Sequence, residues 1–256
     1  MTVDEHIAAL DTAGKTLADA AATVGPDADV PACPGWRVRD LLRHTAMVHR
    51  WATGFVAEGH TSYRPADAEP DLDGDELLDH FRTGHARLVN ALRAAPTSLA
   101  CWTFLPGASP LAFWARRQAH ETTVHRVDAE SALPALGAGP VDPALAADGI
   151  DELLCSFHAR ERSRVRTPEP RVLRVRATDT GDVWTVRLSP EAPRAERGGD
   201  GGDVLDSEPA ADCELSGPAD RLYLTLWNRL PDSAVTVAGD ASLARLWRET
   251  SAVVWS

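Results

Sequence analysis

The chain has 256 residues, of which 44% are hydrophobic and 25% are charged, and this composition excludes disordered, collagen-like and disulfide-scaffold proteins. Its formal net charge of -12 argues against a nucleic-acid or anionic-membrane partner, because such partners usually require a basic face. No apolar run approaches the roughly 18–20 residues of a membrane span, and the first residues lack the basic and apolar segments of a secretory signal. The four cysteines form no CxxC pair, so we expect reduced thiols in a cytoplasmic protein.

Hydrophobic residues in the first half of the chain follow the 3.6-residue period of amphipathic helices. The period predicts helices over residues 3–24, 36–58 and 75–92, and over a fourth segment that ends near Ser131. Ser109 is a good N-cap for the fourth helix, and Pro110 suits its first position. Four helices of this length predict an up-and-down bundle, with room for one longer crossover.

In the second half of the chain, segments with the two-residue period of β-strands appear beside helical segments. Residues 142–162 predict a fifth helix, and two segments of alternating hydrophobicity, 171–177 and 183–189, predict a β-hairpin around the turn at 179–182. Further strands are predicted at 211–216 and 234–238, further helices at 218–228 and 240–250, and a mobile loop at 194–206. The sequence therefore predicts an α+β protein with a helical domain over residues 1–138 and a small α+β domain over 139–256.

The fourth helix carries two histidines and a glutamate within six residues. His120 and His125 are five positions apart, about 140° around a helix, so they cannot bind one ion together. Glu121 and His125 are four positions apart and face the same way, which gives half of a zinc site. The alternative is an exposed Glu–His pair with no function, which is common on helices.

The second helix supplies a candidate third ligand. His44 lies at the edge of its buried stripe, and His49 lies further toward solvent. His44, Glu121 and His125 together would give three protein ligands and an open fourth position, which is the pattern of a catalytic rather than a structural zinc site. The alternative for His44 is a histidine at the edge of the core.

Two segments at these positions resemble signatures of the maleylpyruvate isomerase family of mycothiol-dependent enzymes. One is the turn Cys33-Pro34-Gly35-Trp36 with His44 eight residues after the tryptophan, and the other is the run His-Glu-x-x-x-His-Arg-x-Asp over residues 120–128. The resemblance implies a DinB/YfiT-like four-helix metalloenzyme whose C-terminal domain is similar to sterol carrier proteins. It also implies that a metal ion, usually zinc, is bound by His44, Glu121 and His125, whereas His120 is not a ligand.

The same resemblance implies an arginine that binds the carboxylates of the substrate. Arg82 on the third helix and Arg126 in the second signature are the candidates for this catalytic role. For Arg126 and Asp128 the alternative is a structural ion pair between helices.

The implied activity is a mycothiol-dependent reaction on a small unsaturated dicarboxylate. In the family, the thiolate of mycothiol adds to a double bond, the bond rotates, and elimination releases the trans isomer; without elimination the same reaction is a thiol transfer. The alternatives are a metal-dependent hydrolase on the same scaffold and a metal- or lipid-binding protein without catalysis. For the thiol-dependent reaction we expect two partners, a small-molecule substrate and a low-molecular-weight thiol, and we expect a monomer or small homo-oligomer.

Overall fold

The computed structural model describes residues 1–133, 138–199 and 210–252. The chain divides into two compact units, Met1–Gly139 and Pro140–Ser256. In its described residues the first unit contains four helices and the second contains a five-stranded sheet with helices, which confirms the predicted α+β class. Within the described residues, no helix is both long enough and apolar enough to span a membrane.

The four helices of the first unit start and end close to the predicted positions. They are α1 (Val3–Val24), α2 (Val38–Glu58), α3 (Gly74–Ala94) and α4 (Pro110–Ser131). The Ser109 side chain accepts a hydrogen bond from the Ala112 amide and Pro110 occupies the first turn, so the predicted start of α4 is confirmed. These local signals fix the register of α4, the helix that carries most of the candidate site.

The order of the helices around the bundle differs from their order in the chain. Both α1 and α2 pack mainly against α3 and α4, so α1 lies diagonally opposite α2, and α3 lies opposite α4. Two connections, 25–37 and 95–109, therefore link diagonal helices, where the sequence suggested one longer crossover. This arrangement brings α2 and α4 side by side.

The interior of the bundle is apolar at its centre. Fully buried residues there include Leu17, Leu41, Leu77 and Phe81, one or more from each of α1, α2 and α3. In contrast, α4 also buries many polar side chains: Arg117, Gln118, His120, Glu121, Thr122, Thr123, His125, Asp128 and Glu130. A buried polar group needs a partner, so this concentration marks α4 as the place to look for chemistry.

The second unit is built around one sheet. Its helices are α5 (Pro143–Glu152), which continues as a π-helical turn over Leu153–Phe157, then α6 (Ala219–Leu226) and α7 (Ala241–Thr250), with a short 3-10 turn at Asp232–Ala234. Its strands are β1 (Arg171–Ala177), β2 (Asp182–Leu188), β3 (Arg194–Gly199), β4 (Cys213–Gly217) and β5 (Thr236–Gly239). The strand order is β3-β2-β1-β4-β5, with β1 and β4 parallel and the other neighbours antiparallel.

One prediction for this unit is wrong. Residues 194–199 were predicted as part of a mobile loop, but they form β3 at the edge of the sheet, whereas 200–206 lie outside the described residues. Apart from Ala195, which is only partly buried, the strand consists of charged residues and glycines, so it shows no apolar alternation. Arg197 holds the strand in place by lying over the Trp184 ring and by pairing with Asp182 at 2.9 Å. Charged side chains are typical of edge strands, because they discourage pairing with other chains.

Candidate metal centre

The fold brings together the three predicted metal ligands. His44 in α2 and Glu121 and His125 in α4 each offer one ligand atom, and these atoms lie within 4.8 Å of one another. The Glu121 Oε1 atom is 3.6 Å from His44 Nε2 and 3.2 Å from His125 Nε2. Donor atoms around a tetrahedral zinc ion with bonds of about 2.0–2.1 Å are about 3.3 Å apart. Two imidazoles and a carboxylate with this spacing fit a zinc ion.

Glu121 is ionised in this setting. Burial alone would raise its pKa, but interactions with His125 and His44 and the charge of Arg117 hold the pKa well below its ordinary value. The carboxylate is only 7% exposed, so water does not screen these interactions effectively. An ionised carboxylate is the form that binds a metal ion.

His125 lies between two carboxylates of its own helix. Its Nδ1 atom is 3.0 Å from Asp128 Oδ2, on the other side of the ring from Glu121. Burial would lower the pKa of His125, but contacts with Asp128 and Glu121 raise it to about 9. In such an arrangement the carboxylate fixes the tautomer of the histidine and directs the second nitrogen toward the metal position.

His44 has a different surrounding. Its Nδ1 atom is 3.7 Å from Glu69 Oε1, which belongs to the connection between α2 and α3. Its ring lies 5.2 Å from the ring of Trp36 and 5.3 Å from the ring of His125. His44 therefore has a half-exposed carboxylate as its outer neighbour, where His125 has the fully buried Asp128.

The structure adds residues that sequence reasoning missed. Arg117 is 1% exposed, and its Nη2 atom is 3.4 Å from Glu121 Oε2, one turn away on α4. The four-residue spacing of Arg117 and Glu121 could have predicted this contact from the sequence, because residues four apart lie on the same face of a helix. Glu69 gave no signal, because only the folded α2–α3 connection brings it to His44.

Two histidines near the centre do not contribute ligands to it. His49 was predicted to lie further toward solvent than His44, but it is fully buried and hydrogen-bonded to Thr122 at 2.9 Å. Burial lowers its pKa well below the ordinary value, so His49 is neutral. His120 is fully buried as well, and its ring lies 6.0 Å from the ring of His6.

The two arginines predicted to bind substrate are engaged elsewhere. Arg82 pairs with Asp79 at 3.6 Å and lines a cavity between α1 and α3 of about 480 Å³. Arg126 pairs with Glu130 at 3.1 Å and lies 3.4 Å from the Gly139 carbonyl. The ion pair of Arg126 is therefore with Glu130, on the same helix, and Asp128 faces His125. The substrate role of both arginines stays a prediction.

Comparison with known families agrees with this geometry. A family model described as the mycothiol maleylpyruvate isomerase N-terminal domain matches residues 4–130, and one described as the MDMPI C-terminal domain matches residues 144–246. The chain belongs to the mycothiol maleylpyruvate isomerase family. Together the two matches include His44, Glu121 and His125 and most of the sheet domain.

Solved structures show the same fold for members of this family. The crystal structure of a mycothiol-dependent maleylpyruvate isomerase aligns with a TM-score of 0.63 and 15% sequence identity, over 93% of each chain. A histidine-to-alanine variant of such an isomerase aligns with a TM-score of 0.63 and 14% identity, also over 93% of each chain. No protein of curated function matches the chain in a sequence comparison.

Proposed function

We propose that this chain binds one divalent metal ion, zinc in particular, through His44, Glu121 and His125, and that it uses the ion in a mycothiol-dependent isomerisation or thiol transfer. The substrate would be a small unsaturated dicarboxylate of the maleylpyruvate type. The observation that carries the proposal is the convergence of three ligand atoms within 4.8 Å, at positions inside the family's N-terminal domain. A zinc ion with an open position makes a thiol acidic enough to act as a thiolate at neutral pH.

The side chains around the site prepare it for this role. A histidine that binds a metal ion does so as a neutral imidazole. Two imidazoles and the Glu121 carboxylate would therefore bring a single negative charge to a divalent ion, which would retain a net positive charge that favours an anionic sulfur. Asp128 holds the His125 ring, and Arg117 contacts the outer oxygen of Glu121. These contacts fix the orientation of the His125 and Glu121 side chains before a metal ion binds, which reduces the reorganisation needed at the centre.

Three of the four cysteines of the protein are poor candidates for the nucleophile. Burial raises the pKa of Cys101 and of Cys213, which keeps both thiols protonated at neutral pH. Cys33 donates its thiol hydrogen to Asp128 over 3.5 Å, so the thiol is engaged with the carboxylate that contacts His125. The sulfur that reacts would therefore come from an added low-molecular-weight thiol.

The decisive experiment measures metal content and thiol dependence in the same preparation. We expect about one zinc per chain by elemental analysis, and turnover of maleylpyruvate that requires a thiol, with mycothiol more effective than glutathione. His44→Ala should lose both the metal and the turnover. His80→Ala is the matched control, because His80 contacts Arg50 on the outer side of α2 and α3 and should keep both.

The other outcomes distinguish the alternatives. Turnover of an ester or amide without thiol would show a hydrolase and contradict the thiol-dependent reaction. Tight zinc binding with no turnover of any cis-unsaturated diacid would favour a metal-binding protein. A wild-type protein that binds no divalent metal would overturn the proposal as a whole.

A further inference from the structure

The turn that precedes α2, residues 30–36, contains the Cys33–Trp36 part of the first signature, and none of its residues is a candidate metal ligand. Three backbone hydrogen bonds close it: Cys33 N to Val30 O at 3.0 Å, Trp36 N to Cys33 O at 2.9 Å, and Val30 N to Trp36 O at 3.0 Å. Gly35 has a φ of +86°, a conformation that other residues rarely adopt. The turn is thus a defined structure that places Cys33 and Trp36 at fixed positions.

Cys33 connects this turn to the centre through α4. Its Sγ atom lies 3.5 Å from Asp128 Oδ2, and the same carboxylate oxygen lies 3.0 Å from His125 Nδ1. Asp128 is fully buried. A thiol that donates to this oxygen restricts the rotation of the carboxylate, and the carboxylate in turn restricts the ring of His125.

Trp36 reaches both histidine ligands directly. Its ring is 5.2 Å from that of His44, and it stacks on that of His125 at 6.5 Å with an interplanar angle of 20°. The two imidazoles come from different helices, so a single indole that contacts both limits their relative movement. Aromatic contacts of this kind stabilise a pair beyond simple burial of area.

We propose that the 30–36 turn is a positioning device for the metal centre, in which Cys33 acts on His125 through Asp128 and Trp36 packs against the rings of both histidine ligands. This inference rests on the proposed function, since it assumes that the three ligands bind a metal. Neither Cys33 nor Trp36 belongs to the set of three candidate ligands, so their loss should change the affinity and symmetry of the site and not the number of its ligands. The turn thereby links α1 and α2 to the ligand-bearing half of α4.

The test uses the full chain with two glycine variants and three cysteine variants. Gly35→Ala and Gly25→Ala both force a residue with a side chain into positive φ, at +86° and +82°, and neither added Cβ would meet another atom within 4 Å. Both substitutions strain the backbone, and the unfolding midpoint measures the cost of each, but only Gly35 belongs to the turn. Cys33→Ala removes the hydrogen bond to Asp128, Cys33→Ser keeps a donor, and Cys101→Ala removes a thiol elsewhere in the same unit.

The readouts are the zinc dissociation constant from competition with a chromophoric chelator, and the visible absorption of the cobalt-substituted protein. We expect Cys33→Ala and Gly35→Ala to weaken zinc binding by about 3- to 10-fold. Changing a residue that directly contacts a metal ligand typically costs about 10- to 100-fold in affinity, and these two changes should have a smaller or equal effect. Both should also alter the cobalt spectrum. Cys33→Ser should recover part of the affinity, and Gly25→Ala and Cys101→Ala should match the wild type. The unfolding midpoint of each metal-free variant separates loss of fold from loss of positioning.

Failure of the positioning role can be distinguished from failure of the proposed function. If the wild type binds zinc but Cys33→Ala and Gly35→Ala bind it equally well with an unchanged cobalt spectrum, the positioning role is wrong and the proposed function stands. If the wild type binds no divalent metal, the proposed function is wrong and this inference falls with it. Equal losses of affinity in Gly35→Ala and Gly25→Ala would show a general effect of stability and would also overturn the positioning role.

Discussion

Asp128 lies 3.0 Å from the Nδ1 atom of His125, one turn further along α4. The contact leaves the Nε2 atom facing Glu121 at 3.2 Å, so His125 presents one nitrogen to the centre and the other to a buried carboxylate. The pair has the geometry of a carboxylate–histidine arrangement that supports a metal ligand. Its consequences can be measured separately from catalysis.

The first prediction concerns Asp128 itself. Asp128→Asn keeps an oxygen that can accept from His125 but removes the negative charge, and Asp128→Ala removes both. Outer-shell changes of this kind typically cost about 10- to 100-fold in metal affinity, and we expect the two variants to fall in that range with Ala weaker than Asn. Equilibrium dialysis against zinc measures this directly. Wild-type affinity in both variants would contradict the role assigned to Asp128.

The second prediction compares two buried glutamates of α4. Glu121 and Glu130 are 7% and 8% exposed, but Glu130 pairs with Arg126 and with the Gly139 amide instead of the histidines. Glu121→Gln replaces an anionic ligand by a weak neutral one and should lose most of the bound zinc and of the thiol-dependent activity. Glu130→Gln should keep the zinc, although it weakens a partly buried ion pair. Full zinc occupancy in Glu121→Gln would remove this glutamate from the ligand set.

The third prediction follows from the raised pKa of His125. In the metal-free protein this pKa is about 9, above the ordinary value of 6.5, so the folded state holds a proton that the unfolded state releases. The resulting stabilisation is complete below pH 6.5 and is lost as the pH rises toward 9. The urea concentration at the unfolding midpoint of the metal-free protein should therefore decrease as the pH is raised from 6.5 to 9. The decrease should be smaller in His125→Gln.

The same proton competes with the metal ion. Below pH 9, zinc affinity should rise about tenfold per pH unit, because one proton leaves His125 for each ion that binds. Calorimetry at pH 7 in two buffers of different ionisation enthalpy counts the released proton. A titration that releases no proton would show that His125 is neutral before the metal binds.

The amphipathic helices of the bundle could be predicted because their signals are local. The Ser109-Pro110 start of α4 and the apolar stripe of α2 depend only on neighbouring residues. The order of the helices around the bundle could not be predicted, since helical periodicity shows which face is buried and not which helix covers it. The strand β3 was missed for a related reason: Ala195 is its only apolar residue apart from two glycines, so the sequence has no alternation to detect.

The contacts of the candidate site also include some that local spacing predicts and some that it does not. Glu121 and His125 share a face of α4 because they are four residues apart, and this spacing is visible in the sequence. The contact of Cys33 with Asp128 joins residues 95 positions apart, and the Glu69 contact with His44 depends on the path of a connection. Such contacts exist only once the bundle has folded. The resemblance to a family supplied the link between His44 and α4 that spacing alone could not provide.

The last prediction concerns a close approach between α1 and α3. Gly14 lies directly against the ring of His85, and a Cβ atom at Gly14 would overlap that ring. The ring cannot move away easily, because it stacks on Phe81 with an interplanar angle of 8°, lies 5.4 Å from the ring of His49, and hydrogen-bonds the Asp11 carbonyl at 3.3 Å. Gly14→Ala should therefore lower the free energy of unfolding by about 1–3 kcal/mol, although alanine favours helix.

Gly84 on α3 provides the control for this substitution. It is also within a helix, but a Cβ there meets no atom within 4 Å, so Gly84→Ala should raise the free energy of unfolding by about 0.5–1 kcal/mol. Urea unfolding of Gly14→Ala, Gly84→Ala, His85→Ala and the combined Gly14→Ala/His85→Ala variant measures the contact. In the His85→Ala background the loss caused by Gly14→Ala should shrink or change sign, because the overlapping ring is gone. An equal loss in both backgrounds would place the strain elsewhere on α1 and contradict the assignment to His85.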